Sequence, residues 1–323
     1  VTDRAAHDRA ASGCAGVPPT YVFVMGRGHS GSTVLDSLLS NAACSTGIGG
    51  IVAGMQDPGA VCSCGEPVSR CAFWEGVRVR FEASTGLAWG EAARELREQA
   101  DLSSFIPTLF ARRRAPWVRR RKAVIEGIAD AVRETTDRNV VVDSSKALPV
   151  ALFVARFVEG SRLVHLVRDP ERVLASNYHR IREGAGLYFM GRRLRDRRFT
   201  AFYVALGALA WVVGNLLAEV TGRLAPGRVR RLRYEDLCSD TPARLLDLGR
   251  FLGTDVSGVI SATSRGEALP VGHKSAGNRM RMSGEFVWDP KRAGGRPLPA
   301  VYRWIVRVVA WPLMWVYGYL RRS

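Results

Sequence analysis

The chain has 323 residues, enough to bury a sizeable core in one α/β domain with insertions or in two domains. With 47% of residues hydrophobic and 24% charged, its composition argues against a disordered chain. The 47 Lys+Arg against 30 Asp+Glu give a formal charge of +17, which favours an anionic partner: nucleotide, nucleic acid, acidic substrate or anionic lipid. A high-arginine proteome accounts for the same excess, since lysine occurs only at 122, 146, 274 and 291.

Residues 1–20 carry charges early and no long apolar core, so they read as a disordered lead-in and not as a secretory leader. Six cysteines (Cys14, Cys44, Cys62, Cys64, Cys71, Cys238) in such a chain favour free thiols or a metal over a disulfide framework. A cytoplasmic setting is expected.

The first strand is YVFVMG (21–26), and it runs into GRGHSGST (26–33). A strand, then glycines, then hydroxyl residues opening a helix over 31–42 is how a chain presents backbone N–H groups to a phosphate. Gly28 and Gly31 let the backbone bend around an anion, while Ser32 and Thr33 add hydroxyls. A triphosphate loop needs Lys between its last glycine and its hydroxyl residue, and here that place is Ser32. A tight turn with a Ser/Thr helix cap is the simpler alternative.

Residues 45–70 are rich in Gly, Pro and Cys, and 75–138 read as helices with basic clusters at Arg112–Arg114 and Arg119–Lys122. The stretch 45–138 is too long for one crossover and is expected to be an insertion that shapes a substrate pocket. Within it CSCGEPVSRCAFW groups Cys62, Cys64 and Cys71. Three thiols hold zinc only with a fourth ligand from elsewhere, and the C-x-C pair is tighter than usual structural spacings. No metal is therefore assigned, and the segment is expected to cover the acceptor pocket as a thiol-containing loop.

Further strands follow at NVVVD (139–143), RLVHLV (162–167) and RVRRLRY (228–234), with helices over 147–158, 170–182, 199–221 and 241–252. This alternation predicts an α/β fold, a parallel β-sheet flanked by helices. Ligands bind at the carboxyl ends of such strands, so 26–33, 143–146 and 168–176 should converge on one crevice. In RDPERVLAS, Arg168 stands at a strand end, Asp169 can cap the next helix, Pro170 fits its first turn and Ser176 follows about two turns in. Residues 201–218 carry no charge and read as a buried core helix more readily than as a membrane span. The aromatic, Arg-rich segment 298–323 is expected as a separate C-terminal helix, with Pro312 and internal arginines against a simple span and an interfacial position favoured.

Taken together, these motifs resemble the sulfotransferases that use 3′-phosphoadenosine 5′-phosphosulfate (PAPS). His29-Ser30-Gly31-Ser32-Thr33 matches the family's 5′-phosphosulfate loop, and Arg168 with Ser176 matches its 3′-phosphate pair. RLRYEDLCSDTPARLLDLGRFLG (231–253) resembles the strand-turn-helix whose tyrosine, here Tyr234, lies near the adenine; HKSAGNRMR (273–281) resembles the late basic loop, with Gly277, Asn278 and Arg279 as matching residues. The resemblance covers about residues 21–282 and looks most like a bacterial branch, some of whose relatives modify carbohydrates or other small hydroxyl compounds. It implies a P-loop-NTPase-like sulfotransferase fold with a helical insertion, a domain over 21–297, and PAPS as co-substrate with no metal required. The acceptor would be a small molecule, saccharide or lipid, with no nucleic acid, and membrane-surface contact would run through the C-terminal helix at the inner face of the membrane.

Sulfuryl transfer asks chiefly for positioning and for positive charge near the leaving bridging oxygen. The family commonly places Lys or Arg where this chain has His29; Arg27 and Lys146 are the alternative cations, which together with Gly28 and Ser30 complete the expected site. Asp143 or Lys146, at the end of NVVVD, is the candidate general base, although Asp143 also suits a helix cap. Relatives often carry a Glu after the first helix, where this chain has Gly49-Gly50, so the resemblance leaves the base open. A nucleotide kinase remains the alternative enzyme and a noncatalytic membrane-surface nucleotide-binding protein the alternative role.

Overall fold

The computed structural model describes residues 14, 16–57, 59–182, 187–189, 192–194 and 200–320. Nine strands are described: β1 (Thr20–Gly26), β2 (Ser45–Gly49), β3 (Val140–Lys146), β4 (Arg162–Val167), β5 (Leu187–Phe189), β6 (Arg192–Leu194), β7 (Val229–Arg233), β8 (Ala268–Pro270) and β9 (Glu285–Val287). Five of them form one parallel sheet in the order β2-β3-β1-β4-β7; β5-β6 and β8-β9 are small antiparallel pairs. The helices, in chain order, are α1 (Ser32–Ser40), α2 (Ile51–Gln56), α3 (Ala72–Thr85), α4 (Trp89–Ala100), α5 (Phe105–Phe110), α6 (Pro116–Thr136) and α7 (Leu148–Phe157). They continue with α8 (Pro170–Arg182), α9 (Thr200–Leu224), α10 (Tyr234–Ser239), α11 (Thr241–Leu252), α12 (Ser257–Arg265) and α13 (Ala300–Val316).

β1 is the central strand and is buried along its whole length. Its side chains alternate between two cores, as the strand period of two requires. Tyr21, Phe23 and Met25 join Ile125, Ile128, Val132 and Phe153 from α6 and α7 on one face. Val22 and Val24 join Leu35, Leu38, Leu245 and Leu248 from α1 and α11 on the other. A sheet covered on both faces leaves its carboxyl edge as the open place for a ligand.

Three expectations are corrected here. Residues 45–49, read as the start of the insertion, form the edge strand β2, paired in parallel with β3 from Ser45↔Val140 onward. Cys14 and Cys44 are not free thiols: they form a disulfide. The segment from Cys14 folds back on the sheet, because Asn139 Nδ2 donates to Cys14 O at 2.8 Å and to Val17 O at 2.7 Å, so the expected lead is ordered well before Tyr21. Residues 1–13 and 15 lie outside the described residues.

The third correction concerns α9, which is long and apolar enough to cross a membrane by length and composition but is buried on one side only. Tyr203, Val204, Ala208, Trp211, Asn215 and Ala218 face inward, and α9 packs on α7, α8 and α13. Phe202, Leu209, Val213 and Leu216 remain exposed. α13 is similar: Val306, Ala310, Leu313 and Met314 are buried, while Trp304, Trp311 and Trp315 are exposed.

Candidate active site

The loop between β1 and α1 begins where β1 runs out of room. Gly26 sits at φ 154, and a Cβ there would lie 2.5 Å from the carbonyl oxygen of Leu166 on the neighbouring strand. Gly31 precedes α1 at φ 95, and a Cβ on it would lie 2.3 Å from the ring of Tyr234, so only glycine fits this approach. Among the described residues, the N–H groups of Gly31, Ser32 and Thr33 donate to no backbone carbonyl. Together with the positive end of α1 they form an anion-binding cradle. Ser30 closes the turn by donating to Arg27 O, and Ser32 and Thr33 are buried beside it.

Arg168 and Ser176 converge on this loop. Arg168 Nη1 donates to His29 O at 3.0 Å, and Ser176 Oγ lies 3.2 Å from His29 Nδ1. His29 itself sits at φ 66, a left-handed conformation that is costly for a residue with a β-carbon and is enriched at functional loops. The guanidinium of Arg168 also lies over the Tyr234 ring, 4.7 Å from its centroid. Its backbone is fixed by Trp211 Nε1, which donates to Arg168 O at 3.1 Å. Asp169 caps α8, accepting from Glu171 N at 2.8 Å; burial raises its carboxyl to about 6. A cleft of about 430 Å³ opens beside Arg168 and Tyr234, lined further by Arg172, Glu235 and Lys291.

The late loop reaches the glycine loop through Asn278. Asn278 N donates to Thr33 Oγ1 at 3.0 Å, and Gly277, at φ 152, passes within 3.2 Å of Thr33 if given a Cβ. Arg279 begins a short 3-10 turn and is exposed. Gly28 and Arg27 are exposed at the tip of the first loop, the stem of Arg27 lying against Gly214 of α9.

At the end of β3 the two candidate bases part company. Asp143 is fully buried: Oδ2 accepts from Tyr21 Oη at 2.6 Å and Oδ1 from Ser145 N at 2.7 Å and Ser145 Oγ at 2.5 Å. With both oxygens engaged by Tyr21 and Ser145 and no exposed surface, Asp143 stands behind the strand end and helps to shape it. Burial pushes its carboxyl up to about 6 despite those hydrogen bonds. Lys146, opposite Met25 across the β1–β3 pair, is half-buried at φ 67. Among the described residues its ammonium has no hydrogen-bond or ion-pair partner within contact distance, and burial lowers its pKa.

Sequence reasoning missed the group that ties these parts together. Asp36 of α1 is fully buried; it pairs with the Nζ of Lys274 and accepts from Ser144 Oγ at 2.6 Å. The available signal was lysine itself: of 47 basic residues only four are lysine, and Lys146 and Lys274 are two of them. At the Gly49-Gly50 position, a Cβ on Gly49 would meet Ala276 O at 2.5 Å, whereas Gly50 has only ordinary contacts, the nearest at 3.6 Å.

A sequence model of the sulfotransferase family matches residues 19–258. No curated protein matches the chain significantly. Similar solved structures include the sulfotransferase domain of the olefin synthase from Synechococcus PCC 7002, at 17% identity and TM-score 0.45, covering 92% of this chain and 95% of that one. A sulfotransferase from Mycobacterium avium is 15% identical with TM-score 0.43, covering 82% of this chain and 70% of its own. One from Mycobacterium tuberculosis H37Rv is 13% identical with TM-score 0.44, covering 96% and 79%.

Proposed function

The chain belongs to the sulfotransferase family, and from that premise we propose that it moves the sulfuryl group of PAPS to a hydroxyl or amine of a small molecule, saccharide or lipid, releasing 3′,5′-adenosine bisphosphate. The observation that carries this reading is the convergence of Arg168 and Ser176, eight residues apart, on His29 of the glycine loop. A loop for a 5′-phosphosulfate and an Arg/Ser pair for a second phosphate are thus one site with two anion seats. A triphosphate-binding enzyme has no need of the second seat, and the first still lacks its lysine at Ser32.

The residues fit such a nucleotide. The open N–H groups of Gly31, Ser32 and Thr33 would hold its 5′ end, and Arg168 and Ser176 its 3′-phosphate. Tyr234 would flank the adenine, with Gly277, Asn278 and Arg279 closing from above. When bound, the nucleotide supplies an activated sulfuryl group. His29 would offer a hydrogen-bond donor and Lys146 a cation where negative charge must grow, and among the described residues no ion-pair partner competes for Lys146. The burial of Asp143 supports a proton acceptor other than this carboxyl.

The deciding experiment is calorimetric titration with 3′,5′-adenosine bisphosphate and, separately, with ATP and magnesium. The bisphosphate should bind more tightly, and Arg168→Ala should weaken it by at least ~10-fold. Tighter binding of ATP would overturn the reading in favour of a nucleotide kinase.

A second reading concerns where the enzyme works. Trp304, Trp311 and Trp315 of α13 are exposed, as are Phe202, Leu209 and Leu216 of α9, a helix packed on α13, and Arg303 beside Trp304 is exposed as well. We propose that this surface rests on an anionic membrane.

A further inference from the structure

The cysteine loop meets a distant histidine. Cys62, Cys64 and Cys71 are joined by His273, a residue more than 200 positions away in sequence, and the four donor atoms lie within 4.8 Å of one another. His273 Nδ1 is 3.6 Å from Cys62 Sγ and 3.4 Å from Cys71 Sγ; Cys64 Sγ is 3.6 Å from Cys71 Sγ. Zinc bonds of the usual length to thiolate and imidazole, arranged as a tetrahedron, put sulfur and nitrogen about 3.5 Å apart and two sulfurs about 3.8 Å apart. Three of the six edges thus have the lengths of a tetrahedral zinc site, and all four donors lie within 4.8 Å of one another. We propose that Cys62, Cys64, Cys71 and His273 bind one structural zinc ion.

Hydrogen bonding does not account for the arrangement. Thiols are weak donors and weak acceptors, and a single imidazole nitrogen cannot satisfy two of them. The backbone is built for the purpose as well. Cys62 N donates to Glu66 O at 2.7 Å and Gly65 N to Cys62 O at 2.9 Å, with Gly65 in the left-handed region, so Cys62 and Cys64 straddle a tight knuckle. Cys71 N donates to Pro67 O at 2.9 Å, setting Cys71 at the start of α3. The His273 ring is held flat against Phe73, with centroids 4.9 Å apart and planes 9° apart, so its Nδ1 edge faces the sulfurs. Three soft thiolates and an imidazole select zinc over magnesium or calcium. Four protein donors leave no open position, which makes the ion structural. Arg281 Nη1, donating to Val61 O at 2.6 Å, stands beside the site to offset its net negative charge.

The fourth ligand gives the ion its consequence. His273 is followed at once by Lys274, which pairs with Asp36, and then by Gly277 and Asn278 against the glycine loop. Ser63, between two of the thiols, accepts from Lys274 N at 2.7 Å and donates to Gly272 O. Zinc would fasten the insertion to the root of the loop that covers the anion seats.

The test uses full-length protein purified with a phosphine reductant and no chelator. Elemental analysis should find about one zinc per chain. Replacement by cobalt(II) should give the intense visible bands of a tetrahedral site together with thiolate-to-cobalt charge transfer. Cys64→Ser and His273→Gln should each lose the metal to a chelator that leaves the parent loaded, while Cys238→Ser, outside the cluster, keeps it. Protein without zinc whose cobalt(II) form shows only weak six-coordinate bands overturns the proposal. So does a Cys64–Cys71 disulfide mapped by mass spectrometry in that same preparation.

Discussion

Lys274 and Asp36 form an ion pair from which solvent is wholly excluded, neither side chain having any exposed surface. The pair joins the late loop to the helix that opens at the glycine loop, across 238 residues of sequence. Breaking it leaves an uncompensated buried charge, so Lys274→Met should destabilise the protein by about 3–5 kcal/mol in urea unfolding. The double variant Asp36→Leu/Lys274→Met should recover most of that loss. A double variant no more stable than the single one would mean that the loss is not electrostatic.

Gly47 lies against the same pair. A Cβ there would fall 2.0 Å from Asp36 Oδ1 and from Ser40 Oγ, and 2.7 Å from Lys274 Nζ. Gly47→Ala should cost about 1–3 kcal/mol by overpacking a site that has no apolar give. Unchanged thermal unfolding would show that the contact is looser than described.

Lys146 should act as the cation at the sulfuryl end. Lys146→Ala is expected to lower kcat in a radiolabelled-sulfate assay by about 100-fold or more while the affinity for 3′,5′-adenosine bisphosphate changes by less than about threefold. Burial lowers its pKa, and the active form is protonated, so activity should fade on the alkaline side earlier than for an ordinary lysine near about 10.4. Lys146→Arg should push that limb beyond the measurable range. A rate that climbs as the lysine deprotonates would instead identify it as the base.

Asp143 gives a stability signature of unusual sign. Its carboxyl is raised to about 6 in the fold, against about 4 in an unfolded chain. Between those values the native state keeps a proton that the unfolded state has released, so this group's contribution is greatest at low pH and is lost as pH rises toward 6. Asp143→Asn has no such titration. The stability difference should therefore move by about 2–3 kcal/mol in favour of the variant between about pH 4 and about pH 7. A pH-independent difference would show that the carboxyl is not desolvated.

If α13 rests on a membrane, replacing Trp304 and Trp311 with serine should reduce co-sedimentation with anionic vesicles at least ~10-fold. Both side chains are more than half exposed, so the fold should survive. Equal recovery of parent and variant would remove the membrane role, and a concentration-dependent dimer lost in the variant would assign the surface to a second copy.

The order of elements was legible wherever a strand is an unbroken apolar run. β1, β3 and β4 announce themselves through Val, Leu and Phe, and the glycine loop and the Arg168–Ser176 spacing follow directly from their ends. β2 did not, because Ser45-Thr-Gly-Ile-Gly carries two glycines and one large apolar residue. Its strand character comes from pairing with β3 and not from its own propensity. Asp36–Lys274 and Cys14–Cys44 were invisible for another reason: each partner is chosen by the fold, and nothing local marks it. The burial of Asp143 against Tyr21 also required coordinates, since a motif ending in Asp reads alike whether the carboxylate faces a cleft or a tyrosine.

The bond between Cys14 and Cys44 has one more consequence. The chain between them holds β1, the glycine loop and the whole of α1, so the entire anion cradle lies inside one covalent circle, 30 residues around. Closing a circle of that size removes about 3–4 kcal/mol of chain freedom from the unfolded state. The glycine loop and α1 are thus tethered at both ends before the chain folds, and reducing agents release that tether without altering any side chain of the loop.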